Sequence, residues 1–422
     1  MASLADERLV FPEDDSDIGG QNDRNNFAPR IGLAWSMKLR KTVDPQRRRH
    51  FSTASRTPSS TDGTNFRSSA PRHTEIGLQT SFVSTPFFVQ EGFPVFDNST
   101  IRPNVTMNAF PERRRNLQAY QWFFDIQRTL PGETLLTVGY AGTRSQNLFA
   151  SQNINLPFTP SATVPTNQRF IRPQFNGITW HDTFLRSDYN ALTAKVEKRF
   201  SKGLTYLASF TYSKNMDQGN EDLFDGSQGP VNPYNYAPER GRSNLDRTLG
   251  FISSVVYELP FGKGRSYLQS GPASWILGGW QVGGIVSLLS GVPIAHTHAV
   301  NNQNLGTARG DYVRSPNLPS DERTIDRWFD TGFVVAGQPG QFSNAGRNMV
   351  VSPGTKNLDV MVSRDFLMPW EGHQIQFRFE SFNFTNTANF GRPNTTVGSA
   401  AVGTINSAED PRRIQFGLKY VF

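Results

Sequence analysis

Histidines, carboxylates and arginines are the side chains here that could do chemistry, and three groups of them are spaced closely enough to act together. His296 and His298 stand two apart, which on a strand puts both imidazoles on one face, a spacing that suits a transition metal. No third ligand stands near them, and two strand histidines without a metal are the plainer reading. Asp217, Glu221, Asp222 and Asp225 form an acidic run whose oxygens would suit Ca²⁺. Their order lacks the EF-hand loop pattern, so a solvated loop is favoured. Arg113, Arg114 and Arg115 could grip the phosphates of an anionic lipid, and a solvated basic loop explains them equally well. Catalytic motifs are missing: the chain has no Gly-x-Ser-x-Gly elbow, no His-Glu-x-x-His pair and no phosphate-cradling loop. The sequence therefore predicts no enzyme, no cofactor and no metal centre.

The elements that must carry these residues are strands. Leu204, Tyr206, Ala208, Phe210 and Tyr212 alternate with Thr205, Ser209, Thr211 and Ser213, and Leu192, Ala194, Val196 and Phe200 alternate with Thr193, Lys195, Glu197 and Arg199. Ser201, Lys202 and Gly203 make the tight turn between the two runs. The same design recurs at Tyr120 to Ile126, Leu136 to Tyr140, Leu249 to Leu259 and Trp280 to Leu288, and about a dozen candidates begin with Ile31, Leu33, Trp35 and Met37. Hairpins are expected over 117–144, 189–215 and 245–289. One face of each strand is large and apolar, while the other is polar or charged.

Connection lengths alternate as well. Turns at 130–133, 201–203, 260–265 and 367–372 are short, whereas 145–176, 216–243, 300–355 and 386–411 are long and rich in Asn, Gly, Pro and Ser. Short turns on one rim and long loops on the other mark a barrel in an outer membrane, with periplasmic turns and extracellular loops. Bulk properties agree. Mean hydropathy is −0.49, and no apolar run approaches the roughly 18 residues of a transmembrane helix. Barrel strands need no such run. Aromatics make up 12% of the chain and cysteine is absent, which excludes disulfides and thiolate metal sites. The net charge of +7 is spread along the chain and does not point to nucleic acid.

The last strand carries its own signal. Ile414, Phe416, Leu418, Tyr420 and Phe422 alternate up to the terminal residue. A terminal aromatic strand of this form resembles the one read by the barrel-assembly machinery, with Phe416, Leu418, Tyr420 and Phe422 as its residues. Two stretches fit less well. Residues 44–74 show no periodicity, and read either as an irregular loop or as a local frame error. Asp321 to Phe329 reads as a short amphipathic helix capped by Ser320, lying in a long loop.

Several ordered segments carry a family resemblance: Asn26 to Trp35 (NFAPRIGLAW), Thr137 to Thr143 (TVGYAGT), Tyr189 to Leu192 (YNAL), Tyr257 to Gly264 (YELPFGKG), Gly278 to Gln281 (GGWQ), Asn344 to Asn348 (NAGRN), Phe382 to Asn386 (FNFTN) and Asn389 to Phe422. Together they resemble the C-terminal barrel of the Oar-like TonB-dependent transporters, whose front domain is carboxypeptidase-regulatory-like. The resemblance covers nearly the whole chain outside 44–74. It implies an all-β antiparallel transmembrane β-barrel, here a partial, roughly half barrel of a fold of about 22 strands. On this reading residues 1–422 are the C-terminal barrel part, and plug and signal peptide are absent. Expected partners are outer-membrane lipid and lipopolysaccharide, the barrel-assembly machinery and an unidentified substrate, with TonB reached only through the absent plug. The expected function is uptake of that substrate, and the alternative is a structural or adhesive outer-membrane protein.

Overall fold

A computed structural model describes residues 30–34, 43–53, 105–109, 111, 115–173, 175–219, 229–368 and 372–422. Its strands are β1 (Arg30–Ala34), β2 (Val43–Thr53), β3 (Val105–Ala109), β4 (Gln118–Leu130), β5 (Thr134–Asn153), β6 (Phe175–Ser201), β7 (Leu204–Asp217), β8 (Gly241–Arg242), β9 (Leu249–Glu258) and β10 (Trp280–Leu289). The remainder are β11 (Pro293–Ile294), β12 (Thr297–His298), β13 (Asp311–Tyr312), β14 (Val334–Val335), β15 (Val350–Val351), β16 (Thr355–Leu367), β17 (Gln374–Phe382), β18 (Thr396–Val397) and β19 (Arg413–Val421), with one α-helix among the described residues, α1 (Pro272–Leu277).

One sheet of 13 strands dominates, running β1-β2-β4-β5-β6-β7-β9-β10-β16-β17-β19, with β3 and β8 pairing to its side. Every ladder along that path is antiparallel. The three expected hairpins are present as β4–β5, β6–β7 and β9–β10. Among the described residues no ladder joins β1 to β19. β2 takes residues 44–53 out of the stretch that reads as irregular, because its backbone pairs with β1 and β4. Residues 54–74, like Trp35 and Met37, lie outside the described residues.

Turn chemistry sets the register. Ser201 pairs with Leu204 across Lys202 and Gly203, which both have positive φ, 52° and 80°, as a two-residue hairpin loop requires. Pairing then aligns the faces. The rows Phe124–Tyr140–Leu192–Tyr212 and Ile126–Val138–Ala194–Phe210 run across four strands, and Phe210 continues to Phe251 and Leu288. Most of these side chains are exposed, as a surface meant for lipid must be.

Charges bound this apolar band. On the same face of β6, Lys198 stands at the short-turn rim and Asp188, paired with Arg144 at 3.6 Å, at the long-loop rim. The interval from 188 to 198 spans about 33 Å along a strand at roughly 3.3 Å per residue. Tilted by about 40°, it covers about 25 Å of bilayer normal, the height of an outer-membrane apolar band.

The opposite face holds Asp125, Thr193, Lys195, Glu197, Gln281, Asp365, Arg378 and Glu380. It is not uniformly polar. Leu207, Ile252 and Ile285 lie on it and are exposed. Near the short-turn rim Glu258, Arg265, Gln281, Asp365, Gln376 and Arg378 line a groove of about 160 Å³.

Candidate functional site

The long connections fold into a layer over one rim, and this layer is the candidate site. Three small ladders, β11–β15, β12–β18 and β13–β14, form within it. They enclose a core of Ile294, Phe329, Phe333, Val334, Val350 and Val397, with Trp328 and Met349 packed against it. The four connections interlock by backbone hydrogen bonds. Ser161 N donates to the Gln303 carbonyl (3.0 Å), Thr307 N to Pro230 (3.1 Å), Trp328 N to Gly403 (2.9 Å) and Ile405 N to Ile325 (2.7 Å). Buried backbone groups must find partners, and here they find them between loops.

Two buried arginines brace this layer, and Arg347 also ties it to the sheet. Arg309 Nη2 lies 2.6 Å from Glu239 Oε2, with side-chain exposures of 1% and 3%. Glu239 Oε1 accepts from Val231 N at 2.9 Å, and Arg309 Nη2 also donates to the Gly229 carbonyl at 3.2 Å. Arg347 pairs with Asp217, the last residue of β7, and its Nε donates to the Glu239 carbonyl at 3.2 Å. Burial lowers the Arg347 guanidinium to about 10. Gln303 is the neutral counterpart: its Nε2 donates to the Val231 carbonyl at 3.3 Å and its Oε1 accepts from Ser343 Oγ at 2.9 Å. Tyr234 donates to the carbonyls of Ile154 and Leu156, and burial pushes its phenol up to about 12.

The residues singled out by sequence are placed apart. His296 is fully buried, its ring edge-on to Phe333 at 4.8 Å, and both ring nitrogens are buried without a hydrogen-bond partner. His298 lies on β12, where its Nδ1 accepts from Val300 N at 3.1 Å. Among the described residues no three His, Asp or Glu side chains gather as a metal set. Asp217 serves Arg347, while Glu221, Asp222 and Asp225 lie outside the described residues, as do Arg113 and Arg114. Arg115 is exposed and its carbonyl accepts from Thr183 Oγ1 at 2.8 Å.

One expectation is overturned. Residues 320–329 form turns, not a helix. Tertiary anchors outweigh helical propensity: Thr324 and Arg327 exchange backbone bonds, Trp328 Nε1 reaches the Val351 carbonyl at 2.8 Å, and Phe329 enters the loop core. The residues that sequence reasoning missed, Glu239 and Arg309, have no local signal, being 70 residues apart. Arg347 stood inside the NAGRN segment, whose Asn348 takes φ of 52° and donates to the Arg242 carbonyl at 2.9 Å.

His296 gives the layer an acid limit. Desolvation, then the nearby Arg309 charge, depress its ring to about 4 from the ordinary 6.5. The unfolded ring binds a proton in the window from 6.5 down to 4 while the folded one resists, so stability is full above 6.5 and falls as pH drops to 4. The loss approaches about 3 kcal/mol. Limited proteolysis of the loops should therefore accelerate across that window in the wild type. A His296→Phe variant, keeping the ring contact without the titration, should show a flatter profile.

What this arrangement can do is present a fixed, partly apolar surface, with Phe158, Val300, Tyr312, Val313 and Ile325 exposed, above strands that face lipid. A family model described as an outer membrane beta barrel domain matches residues 2–415. No curated protein matches the chain. Among solved structures it is similar to the outer membrane transporter YddB from Escherichia coli, with 9% identity, a TM-score of 0.46 and coverage of 94% of this chain and 40% of that one. It is also similar to the FrpB iron transporter from Neisseria meningitidis, with 12% identity, a TM-score of 0.43 and coverage of 94% and 39%. P. aeruginosa FpvA bound to pyoverdines gives 9%, 0.44, 94% and 33%. The chain thus spans between a third and two fifths of the solved structures it matches. From the strand pattern, the lipid-facing band and the match to nearly its full length, the chain belongs to the outer membrane beta barrel domain family and resides in the cell outer membrane.

Proposed function

We propose that this chain is the C-terminal barrel part of an Oar-like TonB-dependent receptor, whose loop layer contacts the substrate to be taken up. The observation that carries the reading is the loop layer itself. Long loops that only shield a barrel need no buried ion pairs, whereas a binding surface gains affinity from being held in one arrangement before the ligand arrives. TonB would act through a plug domain of the kind such receptors carry. Growth of a strain lacking the chain, measured across limiting solutes with and without TonB, tests this. Uptake gives a defect confined to one solute class and absent as an added effect when TonB is already missing. Loss of surface attachment with no solute dependence would favour the adhesive alternative.

Assembly is proposed to read Phe416, Leu418 and Tyr420 on β19 together with Phe422 just beyond it. All four are exposed on one face, beside β17, with Phe416 5.4 Å from Phe379 between ring centroids. Deleting Phe422 should lower the outer-membrane fraction of the chain and raise the periplasmic, protease-sensitive fraction. Unchanged fractionation would remove this role.

A further inference from the structure

The β9–β10 connection lies at the short-turn rim and does not end as a plain turn. It carries α1, whose Trp275, Ile276 and Leu277 are 71%, 57% and 47% exposed. Three consecutive large apolar residues on a short-turn rim are costly to leave in water. Nevertheless this segment is held firmly in place. Gly262 and Gly278 cross so closely that a Cβ on Gly262 would sit 2.7 Å from the Gly278 Cα. Trp280 Nε1 donates to the Ile276 carbonyl at 3.0 Å.

Arg364 supplies the main clamp. Strand pairing sets Trp280, Arg364, Phe377 and Leu418 in one row, so Arg364 stands on the lipid face of β16 with its row neighbours aromatic or apolar. Only 8% of it is exposed. Its Nη1 donates to the Ile276 carbonyl at 2.7 Å and its Nη2 to that of Trp275, the carbonyl end of α1, where a cation is favoured. The guanidinium also lies over the rings of Phe366, Trp280 and Trp275 at 4.3, 5.7 and 5.9 Å. The cation thus fastens α1 to the outer wall of the sheet, while Trp275, Ile276 and Leu277 remain exposed.

We infer that α1 is a membrane-surface anchor: Trp275, Ile276 and Leu277 enter the headgroup and upper acyl region of the periplasmic, phospholipid leaflet, held there by Arg364. The occupant follows from continuity, because the row from Trp280 to Leu418 belongs to the lipid-facing band that α1 extends. Aromatic and apolar residues at this level are those that favour the bilayer interface. This rests on the outer-membrane barrel and not on the uptake reading.

The sequence has no cysteine, so single-cysteine probes are clean. The full chain is reconstituted in phosphatidylethanolamine–phosphatidylglycerol vesicles with an environment-sensitive dye at Ile276→Cys, Lys263→Cys or Phe416→Cys. Bromine-labelled lipid and aqueous iodide are the two quenchers. The anchor predicts that bromolipid quenches the probes at 276 and 416, that the 276 probe loses its iodide quenching, and that the 263 probe keeps it. Adding Arg364→Gln should return the 276 probe to iodide while leaving the 416 probe with lipid. If 416 is quenched by bromolipid but 276 only by iodide, the anchor is overturned alone, and a soluble periplasmic partner becomes the occupant to seek. If both probes sit in water, the anchor falls together with the lipid face.

Discussion

Arg309→Ala is expected to open the loop layer while leaving the strands paired. The substitution leaves the Glu239 carboxylate buried with one backbone donor, Val231 N, and no cation. Removing one partner of a buried pair costs about 3–5 kcal/mol, because the remaining charge stays out of water. The effect should be local, since Arg309 bonds connections and not strands. Hydrogen exchange should rise across 229–243 and 303–310 with the β6–β7 hairpin unchanged. Adding Glu239→Gln should recover part of the loss by removing the orphaned charge. If the single variant exchanges like the wild type, the pair is not what holds the layer.

Leu192→Arg is expected to destabilise the inserted protein by about 2–4 kcal/mol, the range for a cation on the lipid face near the bilayer midplane. The midpoint of the interval between Asp188 and Lys198 falls at Leu192 and Ala194 on that face. Val196→Arg should cost less, since Val196 is the next lipid-facing residue to Lys198 and its guanidinium can reach the rim. Thr193→Arg should be milder still. Gly139, lacking a side chain, leaves Asp125 close to Thr193, since a Cβ there would lie 2.0 Å from Asp125 Oδ1 and 3.0 Å from Thr193 Oγ1. An arginine at 193 therefore meets a carboxylate. Urea titration of vesicle-inserted protein gives the ranking; equal losses at 192 and 193 would overturn the assignment of the two faces, and a larger loss at 193 would reverse it.

The strands, their facing and their hairpin partners were legible in the sequence because they depend on short-range rules. Period-two alternation assigns Phe210 and Tyr212 to one face without reference to any other strand, and Lys202-Gly203 fixes the register of β6 on β7 through positive φ. Connection lengths separated a short-turn rim from a long-loop rim. Even so, the pattern overstated the polarity of the inner face, where Leu207, Ile252 and Ile285 emerge only once three strands are laid side by side.

The loop layer was not legible, for the opposite reason. Its anchors join residues far apart in the chain, Arg309 to Glu239 and Arg347 to Asp217, and no local periodicity records such pairs. Local propensity misled where long-range contacts were strong: residues 320–329 read as a helix, but Trp328 and Phe329 are drawn into a core made by β11, β14, β15 and β18. Arg364 shows the same division. Alternation places it on the lipid face, where a lone cation looks misplaced, and only the fold brings the carbonyl end of α1 and three aromatic rings to it. The sequence by itself determined a membrane-spanning antiparallel sheet, because alternation and turns act over a few residues. The tertiary structure decided which loops form one surface and which charges are buried, because those energies depend on partners brought together only by folding.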